Sequence, residues 1–97
     1  MREARLRARL PQDRLGVLIG LDESSSSARI SRYETGVHEP SLPTARAIAT
    51  VLGVPLAYLY CEDDVTAEIL LELHMGNEDL RAQCVAWLRT GRGAHQL

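Results

Sequence analysis

Apolar positions along this 97-residue chain recur at intervals of three and four, and nowhere do they alternate over the length of a strand. Leu6 and Leu10 stand four apart with Ala4 and Ala8 between them, which predicts a first amphipathic helix over residues 1–9. Pro11 fits the first turn of a second helix, where a missing N–H costs nothing. That helix is expected to run to Ile19, to bury Leu15, Leu18 and Ile19, and to stop at Gly20. Gly16 inside it is unfavourable by about 1 kcal/mol relative to Ala, which suggests that another backbone passes close by. Asp22 is a good N-cap, and the polar run 23–27 leads into a third helix through Ala28, Ile30 and Tyr33 that ends at Gly36. Ser41 caps a fourth, on which Leu42, Ala45, Ile48, Ala49 and Leu52 form one stripe and Pro43 lies in the tolerant first turn. Gly53 ends it, and Pro55 opens a short fifth helix through Leu59.

The acidic strip Glu62, Asp63, Asp64 marks a boundary, and two more helices are expected over 65–75 and 78–90. Gly76 separates them and Asn77 caps the second, while 91–97 is expected to fray as a tail. Leu80, Cys84, Trp87 and Leu88 make an apolar stripe opposite Ile69, Leu70 and Leu73; it serves either as intramolecular core or as an oligomer face. The expectation is an all-α chain with five short helices over 1–60 and an acidic helical hairpin and tail over 61–97.

Composition narrows this picture little. The chain is 45% apolar but only 4% aromatic, with no Phe, so its core must be aliphatic, which suits packed helices. No apolar run approaches the roughly 20 residues that span a bilayer, and no signal-peptide core is visible, so a cytoplasmic protein without membrane partners is expected. Charge is more informative. Residues 1–60 carry eight arginines against six acids, and 61–97 carry three against seven, while Lys is absent. This asymmetry permits a cationic face on the first part of the chain without requiring one.

Glu3-Ala4-Arg5, Leu10-Pro11-Gln12, Leu15, Gly20, Ile30-Ser31-Arg32-Tyr33-Glu34, Gly36, Pro40-Ser41, Ile48-Ala49 and Leu52-Gly53-Val54 stand in a distinctive order. Over about residues 1–60 the chain resembles the Cro and phage-repressor (xenobiotic-response-element) helix-turn-helix family. The resemblance implies a five-helix, lambda-repressor-like DNA-binding domain in which helix 2 crosses the DNA backbone and helix 3 enters the major groove. Aligned backward from Ile30, the residues matching the family's base-reading positions are Ser27, Ala28 and Arg32. Arg32 is the strongest candidate, because a guanidinium can bond bidentately to O6 and N7 of guanine. Gln12, Thr35 and His38 match positions that touch phosphates and set register rather than sequence preference. Arg5 and Glu34 match positions that form an ion pair. The implied partners are double-stranded DNA and a second copy of the chain in a homodimer on a palindromic site.

Three departures from the family stand out. The stretch between Gln12 and the recognition helix is four residues longer than usual, within 22–27. Four residues are about one helical turn, roughly 6 Å, so either helix 3 gains a turn, the favoured reading, or the serines form a longer mobile loop. Arg9 stands where the family commonly ends helix 1 with Gly, and helix 1 itself is short.

Other residues carry blander readings. Arg2, Arg7 and Arg9 read as solvated helix surface; His74 and His95 as incidental; Cys61 and Cys84 as reduced structural thiols, since they match no metal-ligand spacing. The serine run could also be a linker or a phosphorylation target. The acidic strip reads as a helix start favoured by the macrodipole rather than a cation site. No nucleophile–base pair, glycine-rich phosphate loop or paired-carboxylate cleft is visible, so neither enzyme activity nor a metal or cofactor is expected. Two other functions remain open: an antitoxin whose acidic hairpin neutralises a toxin partner, and a helix-turn-helix fold used purely for protein assembly.

Overall fold

The computed structural model describes residues 1–95, with seven helices and no strand among them. They fall into two compact units, Met1–Tyr60 and a second beginning at Cys61. No described helix is long and apolar enough to cross a membrane.

The first unit holds α1 (Arg2–Arg7), α2 (Gln12–Leu18), α3 (Glu23–Glu34), α4 (Leu42–Leu52) and α5 (Leu56–Tyr60). Its core is aliphatic: Ala4, Leu15, Ile30, Ala45, Ile48, Ala49, Leu52 and Val54 are buried. Helix α1 is shorter than its apolar spacing predicts, and Leu6 is exposed, because Ala4 and Arg5 face inward instead. Its end is decided at Arg9, which adopts a left-handed φ of 57°. The Leu10 amide can then bond back to the Arg5 carbonyl at 3.2 Å, closing the helix with one of its own orphan acceptors. Glycine takes this backbone region most readily, so Arg9 holds a conformation for which the family's usual glycine is the cheaper residue.

Pro11 sits one position earlier than expected, as the N-cap of α2 with φ −63° and ψ 157°, not inside its first turn. Leu15 is buried as expected, but Leu18 is 47% exposed and Ile19 only half-buried, so α2 turns a narrower face inward than its run of apolar residues suggests. Helix α3 begins at Glu23 and is twelve residues long, so the serine run belongs to the helix as an added turn. Asp22 precedes it in extended backbone but makes no side-chain cap bond. In α4 the Ser41 hydroxyl accepts from the Thr44 amide and Gly53 closes the C-terminus in the left-handed region. Arg7 is not merely solvated: its guanidinium lies 5.5 Å from the Tyr58 ring centroid and donates to the Tyr58 hydroxyl, joining α1 to α5.

The second unit holds α6 (Asp64–Met75) and α7 (Glu78–His95). The Asp63 carboxylate caps α6, accepting from the Thr66 amide at 2.8 Å and from its hydroxyl. Those two bonds lower the Asp63 pKa below its ordinary value. The Asn77 side chain caps α7 through the Leu80 amide at 2.8 Å, as its position predicts. Arg81 ties the connection together by donating to the carbonyls of Leu73 and Gly76. The expected fraying from residue 91 is not seen, since α7 continues to His95; residues 96 and 97 lie outside the described residues. A glycine such as Gly91 weakens a helix without stopping it unless the backbone turns left-handed there. No residue of α6 is buried.

Candidate nucleic-acid interface

Helices α2 and α3 cross very closely, and two small residues make this possible. A Cβ placed on Gly16 would stand 2.8 Å from the Ser26 Cβ and 3.1 Å from its Cα. The glycine expected to mark a close backbone approach therefore does so, and the backbone that approaches belongs to the added turn of α3. Ser26 is fully buried and its hydroxyl donates to the Asp13 carbonyl at 2.6 Å. Reading the serines as one polar run missed this core role. The signal was present, since Ser26, Ile30 and Tyr33 share one helical stripe.

With Ser26 and Ile30 turned inward, Ser27, Ala28 and Arg32 are all exposed. The Arg32 guanidinium has no hydrogen-bond partner among the described residues. Thr35 and His38, at the end of α3 and just after it, are exposed as well. The Thr35 hydroxyl is turned onto its own helix, donating to the Ser31 carbonyl at 2.9 Å. Gln12, the first residue of α2, is half-buried and faces α3 rather than standing free.

Beneath this surface lies a polar chain that spacing alone did not reveal in full. Arg5 and Glu34 form the expected ion pair: Arg5 Nε donates to Glu34 Oε2 at 2.5 Å and Nη2 to Oε1 at 3.2 Å, with both side chains under 10% exposed. Arg5 Nη1 donates to the Leu10 carbonyl at 2.9 Å, so three donors of the fork are used. Gln12 Nε2 donates to Glu34 Oε1 at 3.1 Å, and the Ser27 hydroxyl donates to Gln12 Oε1 at 3.2 Å. Burial pushes the Glu34 carboxyl up, but the bonds from Arg5 and Gln12 and the charges of Arg5 and Arg2 outweigh it, so its pKa is lowered. Arg2, read as solvated surface, thus contributes charge to this site. Gln12 and Ser27, assigned separately to phosphate and base, are joined directly. Among the described residues no cluster could hold a metal ion.

Residues 1–59 match the helix-turn-helix family of Cro/C1 type. The chain belongs to that family. A search of curated proteins returned no match. Among solved structures the chain is similar to the transcriptional regulator BswR, with a TM-score of 0.84 and 38% identity over 92% of this chain and 88% of that one. In family terms α2 and α3 are the helix-turn-helix pair. The serine turn of α3 contributes Ser26 to their contact, and Ile30 lies in the core.

Proposed function

We propose that the chain is a sequence-specific DNA-binding transcriptional regulator of the cytoplasm that acts by binding rather than catalysis and represses by occupying its operator. The observation that carries this reading is the outward face of α3. Ser27, Ala28 and Arg32 are exposed on the helix that the family inserts into the major groove, while Ser26 and Ile30 anchor it to α2 and the core. Arg32 supplies base readout, and Gln12, His38 and, once its hydroxyl rotates off the Ser31 carbonyl, Thr35 supply backbone contacts that fix register. Binding-site selection on wild type and Arg32→Ala tests this. Loss of Arg32 should cost about 1–3 kcal/mol and relax preference at one base pair. Loss of Thr35 or His38 should weaken all sequences alike, and affinity should fall steeply with salt as counterions are released. An absence of any enriched site with the wild-type protein would overturn the reading.

We further propose that the regulator binds as a homodimer through α6 and α7. Val65, Ile69, Leu80, Trp87 and Leu88 are all exposed in the single chain, and a second copy would cover them, as expected of a regulator that binds a two-fold symmetric site. Residues 1–64 alone should then sediment as a folded monomer with much weaker operator binding. A dimer of that fragment would place the contact elsewhere, and a neighbouring toxin co-purifying on α6 and α7 would favour an antitoxin.

A further inference from the structure

The chain Arg5–Glu34–Gln12–Ser27 has a direction, and the direction fixes what Ser27 can recognise. An ionised carboxylate only accepts hydrogen bonds. Glu34 is ion-paired with Arg5, so the group of Gln12 that faces it at 3.1 Å must be the amide nitrogen. An amide oxygen turned there would meet a carboxylate oxygen with no proton between them. Gln12 Oε1 is therefore the atom 3.2 Å from Ser27, and an amide oxygen only accepts. The bond is made by the single proton of the Ser27 hydroxyl. What the exposed hydroxyl has left for a ligand is lone pairs.

We infer that Ser27 reads a hydrogen-bond donor on the base edge, the exocyclic amine N4 of cytosine or N6 of adenine, with Gln12 as the positioning residue that removes its capacity to donate. An unconstrained serine can donate or accept and so discriminates poorly in the major groove. A serine whose proton is held elsewhere rejects O6 and N7 of guanine, N7 of adenine and O4 of thymine, because two acceptors face each other. The second amide proton of Gln12 stays free, so Gln12 can still donate to a phosphate while it orients Ser27. This inference rests on the DNA-reading function proposed above.

The test uses the full-length protein. Binding-site selection with wild type and Ser27→Ala identifies the base pair whose preference Ser27→Ala flattens. Operators are then made with that pair altered atom by atom: purine in place of adenine or 2-pyrimidinone in place of cytosine deletes the amine, and a 7-deaza purine deletes the N7 acceptor. Deleting the amine should weaken wild type about fivefold, the weight of one hydrogen bond, and leave Ser27→Ala unchanged. Deleting N7 should change neither. In Gln12→Met the freed hydroxyl should lose its selective dependence on the amine and gain dependence on N7, alongside a uniform loss of affinity. Dependence of the wild type on N7, no dependence on the amine, or no pair flattened by Ser27→Ala would overturn the inference. A selection with no enriched site would overturn the DNA-reading function instead, so the two failures are distinct.

Discussion

The two units of this chain use similar aliphatic residues to opposite effect. In Met1–Tyr60, Leu15, Ile30 and Ile48 are completely buried. Beyond Cys61, no residue with described side-chain surroundings is buried, and Trp87 is 73% exposed. The first unit brings buried residues of four helices to one centre, so each stripe finds several others, and its α2–α3 crossing is drawn tight by Gly16. The second has two helices joined by Gly76 and Asn77, and two helices alone offer too few faces to close a core. An amphipathic pattern thus specifies a face, while burial requires enough faces at the right angles. Polar groups follow the same division. Those of the first unit link distant segments, as Arg5, Glu34, Gln12 and Ser27 do, whereas Asp63, Asn77 and Arg81 only finish helix ends near themselves in sequence.

The contrast breaks most readily at the ion pair. Arg5→Ala should destabilise the first unit by about 3–5 kcal/mol, because it leaves the Glu34 carboxylate buried and unpaired. Urea titration of the full chain measures this, and a loss within experimental error would mean that the first unit does not depend on its polar interior. Next in size is Gly16→Ala. An alanine inside a helix ordinarily gains about 1 kcal/mol over glycine. Here its Cβ meets the buried side chain of Ser26 and crowds the Ser26 Cα at 3.1 Å, so a net loss of about 1–3 kcal/mol is expected from overpacking. A gain in melting temperature would show that the crossing yields easily.

Acid sharpens the comparison further. The Glu34 pKa is lowered in the folded state, so the carboxylate contributes stability that is fully present above its ordinary value of 4.5 and lost as pH falls through the lowered one. Stability of the wild type should drop below about pH 4.5 by more than that of Glu34→Gln, measured as the difference in melting temperature across the acid range. Equal slopes would remove Glu34 from the acid response. The smallest effect on folding is expected in the second unit. Trp87→Ser should change chain stability by under about 0.5 kcal/mol at concentrations where the protein is monomeric, as for exposed sites generally. The same variant should weaken self-association in sedimentation runs. A large loss of monomer stability would show that Trp87 is core after all.

Much of this molecule was legible in its residue order. Helix stripes, the caps at Ser41 and Asn77 and the glycine stops depend on interactions within a few residues, so local sequence determined them. The helix-turn-helix order was equally plain, because it is carried by many residues at fixed spacing, from Gln12 and Leu15 to Ile30 and Glu34. The family resemblance, not the spacing itself, implied the pairing of Arg5 with Glu34, which the fold shows. Tertiary structure alone decided the rest. The serines became an added helical turn because Gly16 leaves room for Ser26. Leu6 and Leu18 were left outside because the helices present only narrow faces to one another. Gln12 and Ser27 came within hydrogen-bond distance because that same crossing brings the start of α2 beside the outer face of α3. Side-chain pairing across a helix crossing depends on the crossing itself, which no stretch of local sequence encodes.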